Sequence, residues 1–433
     1  MSISRGFYKT TLLTGLAATC CVLLPFHADA AGFAIKEQSA SKLGNAFAGA
    51  GSEANDLSVM FFNPAGITRI KGSQALASAS IIIPKVEFTN TNSRAPGGGV
   101  ATGTDQTDAG VVAYVPSAYA AWDMNEDTKM GFSVNAPFGL KTEYNEDFVG
   151  RYQGLRSEMR TITAGPNIAH KVTDKLSIGA RAHAQYIDVN LTQALPLNTL
   201  SAGAVQDGTA KIEGDAMDLG YALGLLYEPT AATRFGLSYQ SEIKHTLRGN
   251  ARFINNGFTP GGNFTDTTVT GRFISPQSIL LSSYHDVNDK LAVMADVQWT
   301  GWSTFNELRI DFDSAQADTV VTTNWNDAFF YSAGVNYKQT QDLMLRAGIA
   351  YDQSPAQPKF ATPRIPDSDR YWIAAGGSYQ YSQDMTIDFG YTHIFVQERT
   401  INKLTESASV VDRVVGTYDT NIDIFTIQAN LKF

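Results

Sequence analysis

Apolar and polar residues alternate along several stretches of this chain of 433 residues. In LSIGARAHAQY, residues 176–186, Leu176 and Ile178 fall on one face, and Arg181 and His183 fall on the other. The same alternation recurs in three further segments, residues 291–299, 343–351 and 385–395. Alternation over about ten residues predicts β-strands with one apolar and one polar face.

The predicted strands are long, and aromatic residues gather near their ends, for example Tyr186, Trp299, Tyr351 and Tyr371. A soluble β-sandwich also shows alternation, but its strands are usually about five or six residues long. Strands that cross a membrane need about 9–11 residues and carry aromatic residues at both interfaces. The pattern therefore favours a membrane barrel over a sandwich.

Short acidic or polar turns separate pairs of these strands, at residues 124–127, 172–175, 228–231, 286–290, 338–342 and 381–384. Longer stretches rich in Gly, Asn, Ser and Thr lie between them, as outer-membrane barrels have short inner turns and long outer loops. The turns join six strand pairs; one strand leads in at about 72–89 and one closes at about 418–433. The sequence predicts an all-β fold, a 14-stranded antiparallel transmembrane β-barrel over residues 72–433, with no open edge in lipid.

Residues 1–30 have the layout of a secretory signal peptide: Arg5 and Lys9 precede an apolar run that ends at Pro25, and a small-x-small site precedes Ala31. An N-terminal anchor helix is the alternative, but the run is short for a membrane span. Both cysteines, Cys20 and Cys21, lie in this segment, so we expect a mature chain without disulfides or a thiol nucleophile.

Charge and motifs exclude several functions. Without Arg5, Lys9 and Asp29 the chain carries 31 basic and 41 acidic residues, a formal net charge of −10, which disfavours a nucleic-acid partner. No later apolar run reaches membrane-helix length. The histidines show no metal-ligand spacing, GxSxG is missing, and no nucleotide-binding loop occurs, so we expect no metal, no cofactor and no enzyme.

The last predicted strand alternates Phe425, Ile427, Ala429, Leu431 and Phe433 with polar residues. An aromatic end of this kind resembles the assembly signal of Gram-negative outer-membrane barrels. That resemblance implies the barrel-assembly machinery and outer-membrane lipid as partners. The alternative is simply the final strand.

The N-terminal segment, residues 31–71, does not alternate and is rich in Ala, Gly, Ser and Asn. Ser39 or Ser41 is suited to cap a short helix. A piece of about 40 residues rarely folds on a core of its own. A 14-stranded barrel is too wide for its side chains to fill, so this segment is predicted to plug the lumen.

Here the chain resembles the FadL/TodX family of outer-membrane transporters for hydrophobic compounds. The likeness lies in AGFAIKEQSASKLGNAFAGAG at residues 31–51, in NPAGI at 63–67, and in NAPFGLKTEYNEDFVG at 135–150. Together with the predicted strand count, the resemblance covers the whole mature chain.

The resemblance implies roles for particular residues. In the family the N-terminal segment is a hatch, and Asn63, Pro64 and Ala65 would belong to its gate; a rigid turn is the alternative. Residues 136–139, Ala136, Pro137, Phe138 and Gly139, would kink the third strand and open the wall sideways. A plain bulge is the alternative, because Pro and Gly interrupt strands in any barrel.

The resemblance also implies passive uptake of long-chain fatty acids or similar hydrophobic compounds, ligand-triggered hatch rearrangement, and a monomer. Ala31, Gly32 and Phe33 would lie beside the ligand pocket. Candidates for holding a carboxylate head group are three arginines, Arg151, Arg156 and Arg160. Uptake of monoaromatic hydrocarbons is the alternative within the family, and a general diffusion porin is the alternative outside it.

Overall fold

The computed structural model describes residues 32–106, 108–405 and 411–433. The predicted signal peptide and Ala31 lie outside these ranges. Fourteen strands form the wall, several of them interrupted. They are β1 Gln74–Asn90, β2 Ala113–Asp123, β3 Thr128–Asn135 and Gly139–Glu143, β4 Arg156–Thr173, β5 Leu176–Leu195, β6 Gly208–Thr230, β7 Thr233–Gln240 and Ile243–Ile254, β8 Thr267–Ser275 and Ser278–Asp286, β9 Leu291–Thr300 and Glu307–Phe312, β10 Thr319–Thr322 and Ala328–Lys338, β11 Leu343–Asp352, β12 Arg370–Ser382, β13 Met385–Val396 and Arg399–Leu404, and β14 Arg413–Lys432.

The sheet closes on itself. Each strand pairs with its neighbours in antiparallel fashion, and β14 pairs with β1 from Gln74 opposite Lys432 to Asn90 opposite Gly416. Short turns fall at all six predicted positions. The predicted 14-stranded antiparallel barrel is confirmed. We call the two ends of the barrel the turn end and the loop end.

The two faces of the wall are reversed relative to a soluble protein. Ile349 is 62% exposed on the outside, whereas Arg181 is 2% exposed and points inward. Asp296 and Asp388 are likewise buried in the lumen. An apolar outer face suits a hydrocarbon solvent, and the polar residues of the strands face the lumen.

The N-terminal segment fills the lumen. It contains helix α1 Ala40–Leu43, helix α2 Val59–Phe62 and a 3₁₀ helix at Pro64–Arg69. Ser39 is the N-cap of α1 and accepts a hydrogen bond from the Lys42 backbone amide. The helix ends at Leu43 because Ala46 and Phe47, three and four residues on, adopt positive φ.

The remaining helices are short. Helix α3 spans Leu197–Leu200, and 3₁₀ turns occupy Pro260–Gly262, Trp302–Thr304 and Pro358–Phe360. None of the helices in the described ranges is long and apolar enough to cross a membrane.

Inward glycines let the N-terminal segment approach the wall. A Cβ at Gly348 on β11 would lie 2.2 Å from the backbone carbonyl of Asn45. A Cβ at Gly179 on β5 would lie 2.4 Å from the backbone nitrogen of Ala65. Real Cβ atoms do not approach backbone atoms so closely, so these two contacts require glycine.

Candidate functional site

Asn63 joins the N-terminal segment to the wall. Its side-chain oxygen accepts a hydrogen bond from the Ala65 amide at 3.1 Å, which caps the 3₁₀ helix that Pro64 begins. Its side-chain nitrogen donates to the carbonyl of Gly51 at 2.8 Å and to that of Leu225 on β6 at 2.9 Å. The side-chain amide of Asn63 thus links the turn, Gly51 of the same segment, and β6 of the barrel.

Charged and polar groups hold the segment from the opposite side of the lumen. Lys42 forms a buried ion pair with Glu53, and Asn336 on β10 donates to Glu53 at 2.6 Å. Asp296 on β9 accepts from the backbone amides of Gly49 at 2.7 Å and Ala50 at 3.0 Å. Buried charged groups are stable only when they are paired. Moving the segment would separate these pairs, so they hold it in place.

The third strand is interrupted at the position that the sequence singled out. Residues 136–138 lie outside both parts of β3, and β2 loses its partner there, because its ladder with β3 stops at Ala118 opposite Val134. A single bridge between Gly110 and Thr142 joins the two sides again nearer the loop end. The wall between β2 and β3 therefore contains a gap in its hydrogen bonding.

The N-terminal segment covers this gap from inside. The amide of Ile35 donates to the carbonyl of Pro137 at 2.8 Å, and the amide of Gly139 donates to that of Phe33 at 2.9 Å. Gln38 donates to the carbonyl of Ala136 at 2.8 Å. The segment supplies partners that the missing ladder would have given, as burial in a membrane requires.

Phe33 sits in a cage of aromatic rings. Its ring centroid lies 4.9 Å from that of Trp325, 5.4 Å from Phe305, 5.5 Å from Trp302 and 5.7 Å from Phe273. The pairs with Phe305, Trp302 and Phe273 are edge-to-face, and such pairs add about 0.5–1.5 kcal/mol each beyond area burial. Phe33 is therefore held firmly without any covalent or ionic link.

An apolar cavity, partly open to solvent, extends from Phe33 toward the loop end. Its lining comes from β3 to β9 and is dominated by aliphatic and aromatic side chains. The main contributors are Leu140, Met159, Val189, Leu191, Leu247, Phe273, Phe305 and Ile310. Its lining suits an apolar ligand.

Three arginines line this apolar cavity. Arg272 is exposed and Arg309 pairs with Glu307, whereas Arg364, in the loop between β11 and β12, is buried. Its guanidinium donates to the carbonyl of Arg156 at 3.1 Å, to the hydroxyl of Ser157 at 3.0 Å and to the side-chain oxygen of Gln193 at 2.8 Å. All three acceptors are neutral, and none of the described ion pairs includes Arg364. Three of its five N–H donors are used, which leaves two for a ligand.

Arg364 remains a cation in spite of its burial. Only 8% of the residue is exposed, and burial lowers the pKa of its guanidinium to about 10. At neutral pH it is therefore a buried positive charge without a carboxylate partner in the described chain. Burying such a charge is costly unless something pairs with it.

Comparison with known proteins identifies the relatives of this structure. The family model described as outer membrane protein transport protein (OMPP1/FadL/TodX) matches residues 21–433. The chain belongs to this family. It is therefore an outer-membrane transport protein, as the resemblance implied.

Individual relatives agree over most of their length. The chain is 27% identical over 464 residues to a putative outer membrane protein of Neisseria meningitidis, covering 98% of each. It is 27% identical over 429 residues to the long-chain fatty acid transport protein of Escherichia coli K12, covering 91% of this chain and 94% of the relative.

Solved structures share the fold. A Pseudomonas aeruginosa FadL homologue superposes with a TM-score of 0.87 at 24% identity, covering 93% of this chain and all of that one. The toluene transporter TodX of Pseudomonas putida gives 0.67 at 19% identity, covering 92% of this chain and 99% of that one.

In this FadL/TodX-family chain the three arginines singled out in the sequence are already ion-paired. Arg151 lies 3.8 Å from Asp207, Arg156 pairs with Glu158, and Arg160 pairs with Asp188 at 2.9 Å. None of the three side chains lines the cavity. Sequence reasoning missed Arg364 because nothing in its loop, TPRIPDSDR, distinguishes it from an ordinary surface arginine.

The lumen also contains a Ser–His–Asp arrangement that no spacing in the sequence indicated. His245 lies 2.9 Å from Asp218 and 3.2 Å from the hydroxyl of Ser275. Gln185, however, lies within hydrogen-bond distance of both Ser275, at 2.7 Å, and His245, at 2.9 Å. Ser275 is buried, and it does not line the cavity at Phe33.

Glu37 is the unusual carboxylate of the N-terminal segment, which lies outside the membrane-spanning strands. It is 1% exposed, and neither of its carboxylate oxygens has a hydrogen-bond partner in the described chain. Burial raises the pKa of Glu37 from 4.5 to about 7, opposed by the positive charges of Lys36 and Arg370 and reinforced by Asp352.

We expect the packing of the N-terminal segment to weaken as the pH rises. A carboxyl whose folded pKa is raised stabilises the packed state fully below its unfolded pKa of 4.5, and that contribution is lost as the pH rises through about 7. The full difference is roughly 3 kcal/mol. Hydrogen-exchange protection factors of residues 33–42 should fall between pH 5 and 8, and Glu37→Gln should flatten the dependence. Protection that does not change with pH in the unaltered chain would contradict this prediction.

Proposed function

We propose that this protein takes up long-chain fatty acids, or similar apolar compounds with a carboxylate, across the outer membrane by passive diffusion. The observation that carries the proposal is the apolar cavity with the buried, unneutralised guanidinium of Arg364 at its wall. A carboxylate would pair with Arg364 through charge-assisted hydrogen bonds, and the hydrocarbon chain would occupy the rest. The E. coli relative named for long-chain fatty acid transport supports this ligand class.

Uptake of monoaromatic hydrocarbons is the alternative within the family, and the likeness of fold to a toluene transporter is what favours it. An uncharged hydrocarbon, however, would leave Arg364 buried without a counter-ion. A diffusion porin is the alternative outside the family. It would require an open lumen, whereas residues 32–71 fill this one.

In the proposed mechanism the N-terminal segment acts as a hatch. A ligand in the cavity presses on Phe33, whose backbone is hydrogen-bonded to the interrupted third strand at Gly139. When Phe33 moves, the segment releases Pro137 and Gly139, and the gap between β2 and β3 opens toward the lipid. Asn63, Pro64 and Ala65 keep the rest of the segment seated, so hydrophilic solutes stay out. Lateral exit suits an apolar ligand, which gains nothing from entering water.

Restoring the third strand should block most of this exit. We expect Pro137→Thr, Phe138→Val and Gly139→Thr together to return the missing donor, remove the kink and extend the ladder with β2. Uptake of labelled oleate by Gram-negative cells that lack their own transporter should then fall strongly.

Toluene uptake in the same cells separates the two ligand classes, and heat-modifiability on gels verifies that the variant is folded. Oleate uptake that stays at the level of the unaltered protein would refute exit at β3.

A further inference from the structure

The wall contains a second break, between β8 and β9. Near the turn end, β8 and β9 pair from Ser278 opposite Thr300 to Asp286 opposite Ala292. Near the loop end, only Val269, Thr270 and Gly271 pair with β9. Residues 272–277 of β8 share no ladder pair with β9 in the described chain. At about 3.3 Å per residue, roughly 20 Å of the wall lacks ladder pairs between these two strands, and we call this stretch the slit.

This break lies at the same height in the wall as the break in β3. The turn-end segments of β3, β7, β8 and β9 contain 8, 8, 9 and 10 residues before each strand is interrupted. Such segments are about as long as a strand needs to cross a bilayer. Across the slit itself, the amide of Gly301 donates to the carbonyl of Gln277 at 3.0 Å.

Phe33, whose backbone bonds to the β3 break, also covers the break between β8 and β9. Trp302 and Phe305, which interrupt β9, belong to the cage around Phe33. Phe138 of the β3 break lies 6.2 Å from Trp302, ring centroid to ring centroid. A displacement of Phe33 therefore uncovers both breaks together.

A narrow space, partly open to solvent, connects the two breaks inside the lumen. Pro137 and Phe138 line it at one end, and Pro276, Ser278 and Thr300 line it at the other. Its lining is amphipathic. Phe61 and Phe62 supply apolar surface, whereas Lys36 extends into it, donates to Gln298 and lies 4.3 Å above the ring of Phe330.

We propose that the slit between β8 and β9 is a second lateral passage between lumen and membrane, through which a carboxylated chain leaves with its head group passing Lys36. The inference rests on the proposed function, since it requires an apolar ligand in the lumen. It predicts two exits in parallel, governed by the one displacement of Phe33.

Blocking the slit tests the proposal. Ser278 and Thr300 form the last ladder pair beside the slit and both line the connecting space, so Ser278→Trp fills that space. The matched control is Ser283→Trp, on the lipid-facing side of the same strand, where an indole is tolerated. We expect Ser278→Trp to lower oleate uptake without abolishing it, and Ser283→Trp to leave it unchanged. Ser278→Trp combined with the restored third strand should reduce uptake to that of cells without the protein.

The outcomes separate the two proposals. If the unaltered protein takes up no oleate, the proposed function itself fails. If it takes up oleate, but Ser278→Trp has no effect and the restored third strand alone abolishes uptake, only the second passage is overturned.

A long-chain fatty acid with a diazirine at its apolar end gives an independent test on the purified, unaltered protein, whether or not the variants fold. Photolysis should label residues near 276–278 as well as those near 137. Labelling confined to the β3 side would overturn the second passage.

Discussion

Replacing Arg364 with methionine should weaken binding of oleate by about 2–5 kcal/mol, which is at least about thirtyfold in Kd. Methionine keeps the length and apolar character of the side chain but removes the charge that the carboxylate would meet. The Arg364 guanidinium is held by three neutral acceptors, so its position does not depend on the ligand. Equilibrium binding of oleate to purified protein, at a pH well below the pKa of Arg364 of about 10, measures the change.

Two controls separate charge from structure in this experiment. Methyl oleate has the same chain without a charge, so its affinity should change little between the unaltered protein and Arg364→Met. Arg364→Lys keeps the charge but loses the planar fork of donors, so it should recover part of the oleate affinity. Equal losses for oleate and methyl oleate would mean that Arg364 only supports the loop between β11 and β12.

Adding one methyl group at Gly348 should unseat the N-terminal segment and make the barrel leak. The new Cβ would lie 2.2 Å from the Asn45 carbonyl, which is backbone and cannot turn aside. Overpacking of this kind costs about 1–3 kcal/mol, and here the cost falls on the packed state of the segment. The lumen is wide enough for water once the segment shifts. We expect Gly348→Ala to admit small hydrophilic solutes in liposome-swelling assays.

Gly271→Ala is the matched control for this leak. Gly271 is also an inward glycine of the wall, but its nearest neighbour beyond the adjoining residues would be 3.6 Å from the new Cβ, an ordinary contact. We expect the Gly271→Ala barrel to remain closed to hydrophilic solutes. If Gly348→Ala excludes hydrophilic solutes and hydrogen exchange at residues 40–48 is unchanged, the close contact at Gly348 does not hold the segment in the lumen.

The sequence was sufficient to predict the barrel because its pattern is local and repeated. Ile178 and Arg181 fall on opposite faces whatever the rest of the chain does, and the period-two pattern fixes which face meets lipid. The interruption of β3 was also predictable, since Pro137 cannot donate to a ladder and Gly139 weakens a strand. Pro276 and Gly301 carried the same local signal for β8 and β9.

The cavity could not be predicted in this way. Its lining comes from seven strands, and one sequence does not say which inward residues meet across a lumen. Arg364 illustrates the difficulty, because its importance lies in its three neutral hydrogen-bond acceptors and in the lack of an ion pair to it among the described residues. Arg151, Arg156 and Arg160 stood closer to the recognised motif in sequence, yet each has an acidic neighbour in the fold. The family resemblance alone indicated Phe33 as a pocket residue. Its aromatic cage comes from residues about 240–290 positions away in the sequence.

The most direct test of the account compares three solutes in Gram-negative cells that lack their own fatty-acid transporter, with and without this protein. The account predicts that labelled oleate enters faster when the protein is present, while a small hydrophilic sugar does not. If only toluene enters faster, the substrate class is monoaromatic hydrocarbons and not fatty acids. Faster entry of the sugar with no gain for oleate would contradict the account, because the lumen would then be an open aqueous pore.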